Sequence, residues 1–114
     1  MIRGEIWWAE FGIPYGSEAG YTRPVLIVQD DSFNKSKIKT IVVLPLTTNL
    51  RLLDAPGNVF LRKKEAKLAG DSVIIVAQLY AIDRSRFTEK ISKVSKETME
   101  QVEIGMKLVL GINQ

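Results

Sequence analysis

Three uninterrupted apolar runs, Val25-Leu26-Ile27-Val28, Ile41-Val42-Val43-Leu44 and Val73-Ile74-Ile75-Val76, constrain this chain more than any other feature. Each run is rich in β-branched residues, too short for a helix, and lacks the alternation of a half-solvated strand. Each therefore reads as a strand covered on both faces. A strand over residues 4–10 precedes them, with Ile6, Trp7, Trp8 and Ala9 as its apolar part. Pro24 has no N–H, which places it at a strand's first position or on an edge. Residues 58–62 and Lys90 to Val94 alternate well enough for short strands, and the last of the three apolar runs is read as a strand extending from Ser72 to Gln78.

The end of the chain changes period. Ser95 reads as an N-cap with Glu97 in the first turn. Met99, Val102, Met106 and Val109 recur on one face, and Gly111 is a stop. Ile104 and Leu108 lie off that stripe, as they would if the helix touched both its own sheet and a second subunit, or were simply well buried. Five or six short strands and one helix in 114 residues predict a single domain over residues 1–114. Its fold class is mainly β with a C-terminal helix, a strongly bent antiparallel sheet forming a partly open barrel.

Composition removes whole classes of chemistry. The chain has no cysteine and no histidine. Disulfides, thiolate metal sites, cysteine nucleophiles, histidine-built zinc sites and the usual Ser-His-Asp arrangement are excluded. No cofactor is implied. The formal charge of +3 suits a polyanionic partner. No stretch has the length of a membrane span and the first residues lack the apolar core of a signal peptide, so the expected location is cytoplasmic, away from membranes.

The residues left for chemistry cluster around one loop. Phe11 to Thr22 carries Gly12, Pro14, Gly16 and Gly20, and a connection of that length in a small domain is usually functional. Arg23 stands where this loop enters a buried strand. A permanent cation there is costly unless an anion meets it. The anion can be a phosphate of single-stranded RNA, or a carboxylate of Glu18, Asp30 or Asp31 that anchors the loop. Thr47 ends the neighbouring run, either to hold the reacting phosphate or to start the turn Leu46-Thr47-Thr48-Asn49. Ser17 and Glu18 sit among glycines in the loop, and Glu18 is a candidate base or a partner for Arg23. Gln78 could read a base edge. Trp7, Trp8, Tyr15, Tyr21 and Phe87 could stack on unpaired bases, with Tyr15 and Tyr21 favoured because they flank the loop. The run Arg62-Lys63-Lys64-Glu65-Ala66-Lys67 is the densest in positive charge.

Taken in order, several segments resemble the MazF/PemK endoribonuclease toxins of bacterial toxin–antitoxin pairs. They are Arg3-Gly4-Glu5-Ile6-Trp7, Gly16-Ser17-Glu18, Arg23 to Asp30, Val43-Leu44-Pro45-Leu46-Thr47, Asp71-Ser72-Val73, Gln78, Ile82 to Arg86 and Leu108 to Gly111. The resemblance implies an SH3-like barrel with a C-terminal helix, and a homodimer. It implies Arg23 and Thr47 as the catalytic pair and Ser17, Glu18 and Gln78 as substrate contacts. It also implies metal-independent, sequence-specific cleavage of single-stranded RNA through the substrate's own 2′-hydroxyl, leaving a 2′,3′-cyclic phosphate and a 5′-hydroxyl. The implied protein partner is an antitoxin with an acidic, partly disordered segment. Ala19, Tyr21 and Ala77 depart from the family's usual residues and bear on the RNA sequence recognised. Two readings compete: a CcdB-like toxin of the same barrel that binds gyrase without nuclease chemistry, and an inactive nucleic-acid-binding module.

Overall fold

The computed structural model describes residues 1–17 and 20–112. Seven strands form one antiparallel sheet: β1 (Glu5–Glu10), β2 (Thr22–Ile27), β3 (Thr40–Thr47), β4 (Val59–Leu61), β5 (Ser72–Ile74), β6 (Tyr80–Asp83) and β7 (Phe87–Lys93). They are ordered β4-β5-β3-β2-β1-β7, with β6 also paired to β3. Among the described residues there are three α-helices, α1 (Asp31–Asn34), α2 (Lys63–Ala66) and α3 (Lys96–Leu110), and two short 3₁₀ helices at Leu50–Asp54 and Arg84–Arg86. The long β3 is the hub. It pairs with β2 through Val25↔Pro45, Leu26↔Leu44 and Ile27↔Val43. On its other edge the first half pairs with β6 and the last two residues pair with β5.

The unbroken apolar runs are covered on both faces, as expected. Ile6, Leu26, Leu44, Leu46, Leu61, Ile74 and Val102 belong to one buried cluster. Ala9, Val25, Ile27, Ile41, Val43 and Ile82 form a second. Alternate residues of β2 and β3 thus feed alternate clusters, the period-two consequence of a pleated strand. The strand expected over residues 72–78 is shorter, because β5 stops at Ile74. The chain turns at Val76 and Ala77 and resumes as β6, a strand that mixed polarity hides in the sequence. Pro24 lies inside β2, opposite Trp8 and one position beyond the β2–β3 ladder.

Helix α3 begins and ends where expected. Ser95 accepts from the Thr98 amide, and Gly111 ends the helix at φ +69°. Val102 is buried, with Met99 and Met106 packed beside it. Gly105 lies so close to the Gly57 carbonyl oxygen that a Cβ there would collide with it, which sets how near the helix approaches the turn before β4. Ile104 and Leu108 remain exposed.

Two buried or half-buried carboxylates tie the ends of elements together. Glu5 accepts from the Ile2 amide and the Trp7 indole at 3.0 Å each and pairs with Lys90 Nζ at 2.9 Å. Glu65 of α2 accepts from the Ser95 amide at 2.9 Å and the Thr98 hydroxyl at 2.7 Å, fixing α2 to the start of α3. Burial raises both pKa values. The donors around each group, with the charges of Lys90 and Arg62 respectively, outweigh it and hold both carboxyls below the ordinary glutamate range. A depressed folded pKa contributes stability above the unfolded pKa and loses it as pH falls through the folded value. Urea unfolding should therefore show Glu5→Gln to be less stable at pH 7 by about 1–3 kcal/mol. The same variant should lose less stability than the parent when acidified below about pH 4, near the unfolded glutamate pKa. Equal acid sensitivity in variant and parent would remove Glu5 as a source of the pH dependence.

Candidate active site

The β2–β3 pairing carries the site. The β2–β3 ladder ends at Val25↔Pro45, and Arg23 and Thr47 each lie two residues beyond that pair on their own strands. Arg23 shares a strand face with Val25 and Ile27, and Thr47 shares one with Ile41 and Val43. The second apolar cluster therefore ends where the guanidinium and the hydroxyl begin. Both side chains are half-buried, and both line a groove of about 390 Å³.

The rest of the groove comes from four places. Trp8 projects from β1, and Gly20, Tyr21, Thr22 and Pro24 come from the loop exit and β2. Leu46 comes from the end of β3 and Thr48 from the residue just past it. Leu68, Ala69, Gly70 and Ser72 form the opposite wall. Among the described lining residues Arg23 is the one charged side chain. No lining carboxylate among them can neutralise it.

Local bonds set the two polar groups. Arg23 Nε donates to the Gly20 carbonyl at 3.2 Å, an interaction that leaves out the two terminal nitrogens. Among the described residues no carboxylate stands at ion-pair distance from Arg23. The loop-anchoring alternative loses two of its three partners. Asp30 caps α1 through Ser32, and Asp31 accepts from the Arg3 amide at 2.8 Å and from Asn34 at 3.0 Å. The third, Glu18, lies outside the described residues. Thr47 Oγ1 accepts from the Asn49 amide at 3.2 Å, so the turn reading holds. That bond uses an oxygen lone pair and spares the O–H proton, so turn formation and phosphate contact are compatible.

The loop's base is held by backbone. The Phe11 amide donates to the Tyr21 carbonyl at 2.8 Å, and the Tyr21 amide donates to the Gly12 carbonyl. Tyr21 adopts φ +57°, a left-handed conformation that is uncommon for a bulky side chain. Its ring is exposed at the groove. Tyr15 and Ser17 are also exposed but do not line the groove. Gln78 reaches the loop from the turn after β5, donating from Nε2 to the Ser17 carbonyl at 3.2 Å. In this conformation its amide braces the loop.

Comparison with known proteins decides the family. The model of the PemK-like, MazF-like toxins of type II toxin–antitoxin systems matches residues 2–110. The chain belongs to that family. Endoribonuclease MazF6 of Mycobacterium tuberculosis and endoribonuclease MazF2 of Mycobacterium bovis are each 36% identical to it over 112 residues, 98% of either length. The crystal structure of MazF from Deinococcus radiodurans superposes with a TM-score of 0.82 at 23% identity, covering 98% of this chain and 97% of that one. A mycobacterial endoribonuclease in complex with its cognate antitoxin gives 0.81 at 21% identity, covering 100% and 98%. These superpositions show that the toxin fold is shared.

Within this PemK/MazF-type chain, sequence reasoning misses the far wall of the groove, residues 68–70 with Ser72. Nothing in Leu68-Ala69-Gly70 reports chemistry. Only the topology, which pairs β5 with the last residues of β3, brings that segment to Thr48. Trp8 is one of several aromatic candidates in the sequence, and its place opposite Pro24 singles it out.

Proposed function

We propose that residues 1–114 act as one toxin domain that cleaves single-stranded RNA sequence-specifically. The nucleophile is the substrate's own 2′-hydroxyl and no metal takes part. The 2′-oxygen forms a bond to the adjacent phosphorus as the bond to the 5′-oxygen of the next nucleotide breaks, giving a 2′,3′-cyclic phosphate and a 5′-hydroxyl end. The observation that carries this reading is that Arg23 and Thr47, each two residues past the last β2–β3 pair, line one groove without a lining carboxylate among the described residues.

The work asked of the protein is then modest. It must hold the phosphodiester in line and stabilise charge that grows on the phosphoryl oxygens. The terminal nitrogens of Arg23 suit two such oxygens at once, because the guanidinium is a planar fork. The spared O–H of Thr47 donates to a non-bridging oxygen or to the departing one. Trp8 and Tyr21 supply faces on which unpaired bases stack. Ser17, Glu18, Gln78 and Tyr15 are assigned to contact the RNA strand. Glu18 is the candidate to receive the 2′ proton.

The same reading includes a cytoplasmic setting, where RNA and an antitoxin are both at hand. Among the described residues no helix is long and apolar enough to cross a membrane. The antitoxin segment is acidic and partly disordered, and it orders across the cationic groove on binding. The toxin works as a homodimer. In support, α3 leaves Ile104 and Leu108 exposed at 69% and 61%, and both line a shallow groove with Phe60 and Val59 of β4. Such a face is costly in a lone subunit.

Purified protein incubated with a mixed RNA pool in a chelator should produce discrete cuts bearing 2′,3′-cyclic phosphate and 5′-hydroxyl ends. Arg23→Ala should lower the cleavage rate by about 10²-fold or more while the circular dichroism spectrum is unchanged. A folded Arg23→Ala protein with full activity, or ends carrying 5′-phosphate, would refute the mechanism. Ile104→Lys with Leu108→Lys should convert the sedimenting species from dimer to monomer, and a parent that sediments as a monomer would refute the homodimer.

A further inference from the structure

The basic run at residues 62–67 is not used by the cleavage chemistry, yet its placement is specific. Arg62, Lys63, Lys64 and Lys67 are all exposed, and among the described residues none has a carboxylate at ion-pair distance. The one acid in the run, Glu65, is turned inward and engaged with Ser95 and Thr98. Asp71, the next acid along, accepts from the Lys63 backbone amide at 2.9 Å. The run is also held firmly. Ala66 is buried and its carbonyl accepts from the Ser92 hydroxyl at 2.5 Å, while the Leu68 amide donates to the Lys63 carbonyl at 3.1 Å.

Lys67 ends α2 at φ +57°, a conformation that glycine or asparagine adopts more readily. Immediately after it, Leu68, Ala69 and Gly70 form the groove wall, and a Cβ on Gly70 would sit 3.8 Å from the Thr48 methyl. Three residues of chain span at most about 11 Å, so the Lys67 backbone cannot be farther than that from Gly70. Lys67, and the start of α2 through the bond between the Leu68 amide and the Lys63 carbonyl, therefore adjoin the wall of the groove that holds Arg23 and Thr47, and the exposed cations form a lip beside it. No large apolar side chain is exposed between residues 61 and 78. The lip reads charge alone.

We infer that Arg62, Lys63, Lys64 and Lys67 form a second phosphate-binding site, holding the RNA strand beyond the groove and making the toxin favour long single strands over short ones. This rests on the RNA-cleaving reading above and assigns it a substrate-length requirement. A sugar–phosphate backbone offers successive anions to successive cations without regard to base, so the lip adds affinity while the groove keeps the sequence preference. Continuity with the groove and the lack of an apolar anchor favour RNA over an acidic peptide as its occupant.

The test compares two RNAs sharing one mapped cleavage site, one trimmed to the site and one with flanks on both sides. The parent is set against a variant carrying Arg62→Gln, Lys63→Gln, Lys64→Gln and Lys67→Asn, with asparagine chosen to suit the left-handed backbone. For the flanked RNA, kcat/KM should fall about tenfold or more, and the slope of log KM against log salt should shrink by about 0.7 for each phosphate that the variant no longer neutralises. For the trimmed RNA kcat/KM should stay within about twofold. Arg62→Lys with Lys63→Arg and Lys64→Arg should behave as the parent. The parent's preference for the flanked RNA should itself shrink as potassium chloride is raised, a result that needs no variant to fold.

An unchanged preference in a folded variant, or a parental preference indifferent to salt, would overturn the site. Loss of polyglutamate binding with RNA cleavage intact would overturn it in favour of an acidic peptide. A parent that cuts neither RNA would defeat the underlying nuclease reading and this inference with it, whereas a parent that cuts both equally would defeat this inference alone.

Discussion

The register between β2 and β3 is the constraint on which the rest depends. Val25 and Ile27 face Pro45 and Val43 across the ladder, and all but Pro45 belong to the second apolar cluster. A slip of one residue would turn Val25, Ile27 and Val43 to the other face and bring Leu26 and Leu44 out of the first cluster. Both sides of the sheet oppose that slip, because both are packed. The same register brings Arg23 and Thr47, each two residues past the last pair, to one groove. The packing of apolar side chains thus sets the position of a cation and a hydroxyl to which they contribute no chemistry.

Around that pair the chain removes competitors rather than adding partners. Asp30 and Asp31, near in sequence, are engaged by Ser32, Asn34 and the Arg3 amide at the opposite end of β2. Glu5 and Glu65 are held by donors elsewhere. Among the described lining residues Arg23 is the one charge, in a half-buried setting where an anion would gain more from a guanidinium than it would in open water. The loop that borders the groove is braced by backbone bonds at its base and by Gln78 near its tip.

Much of the architecture is legible in the chain. The three apolar runs, the N-cap at Ser95 and the stop at Gly111 follow from local physics, and they appear as β2, β3, β5 and α3. The strand at residues 80–83 is not legible, because Tyr80 and Asp83 flank only two apolar positions and its identity comes from pairing with β3. Arg23 and Thr47 can be picked out as residues whose placement is costly or terminal, but their meeting cannot, since 23 intervening residues separate them and only the ladder closes that distance. The role of Gln78 as a brace is hidden for a similar reason. Its partner is a backbone carbonyl 61 residues away, and a carbonyl leaves no mark in a side-chain pattern.

The central claim is that Arg23 and Thr47 act on the same phosphate. A double-mutant cycle on RNA cleavage tests it most directly, using Arg23→Ala, Thr47→Ala and the combined variant, all verified as folded. Groups that serve one transition state as a unit are strongly non-additive. The combined variant should therefore be little slower than Arg23→Ala alone. Losses that multiply, with the combined defect equal to the product of the two single defects, would contradict a shared phosphate.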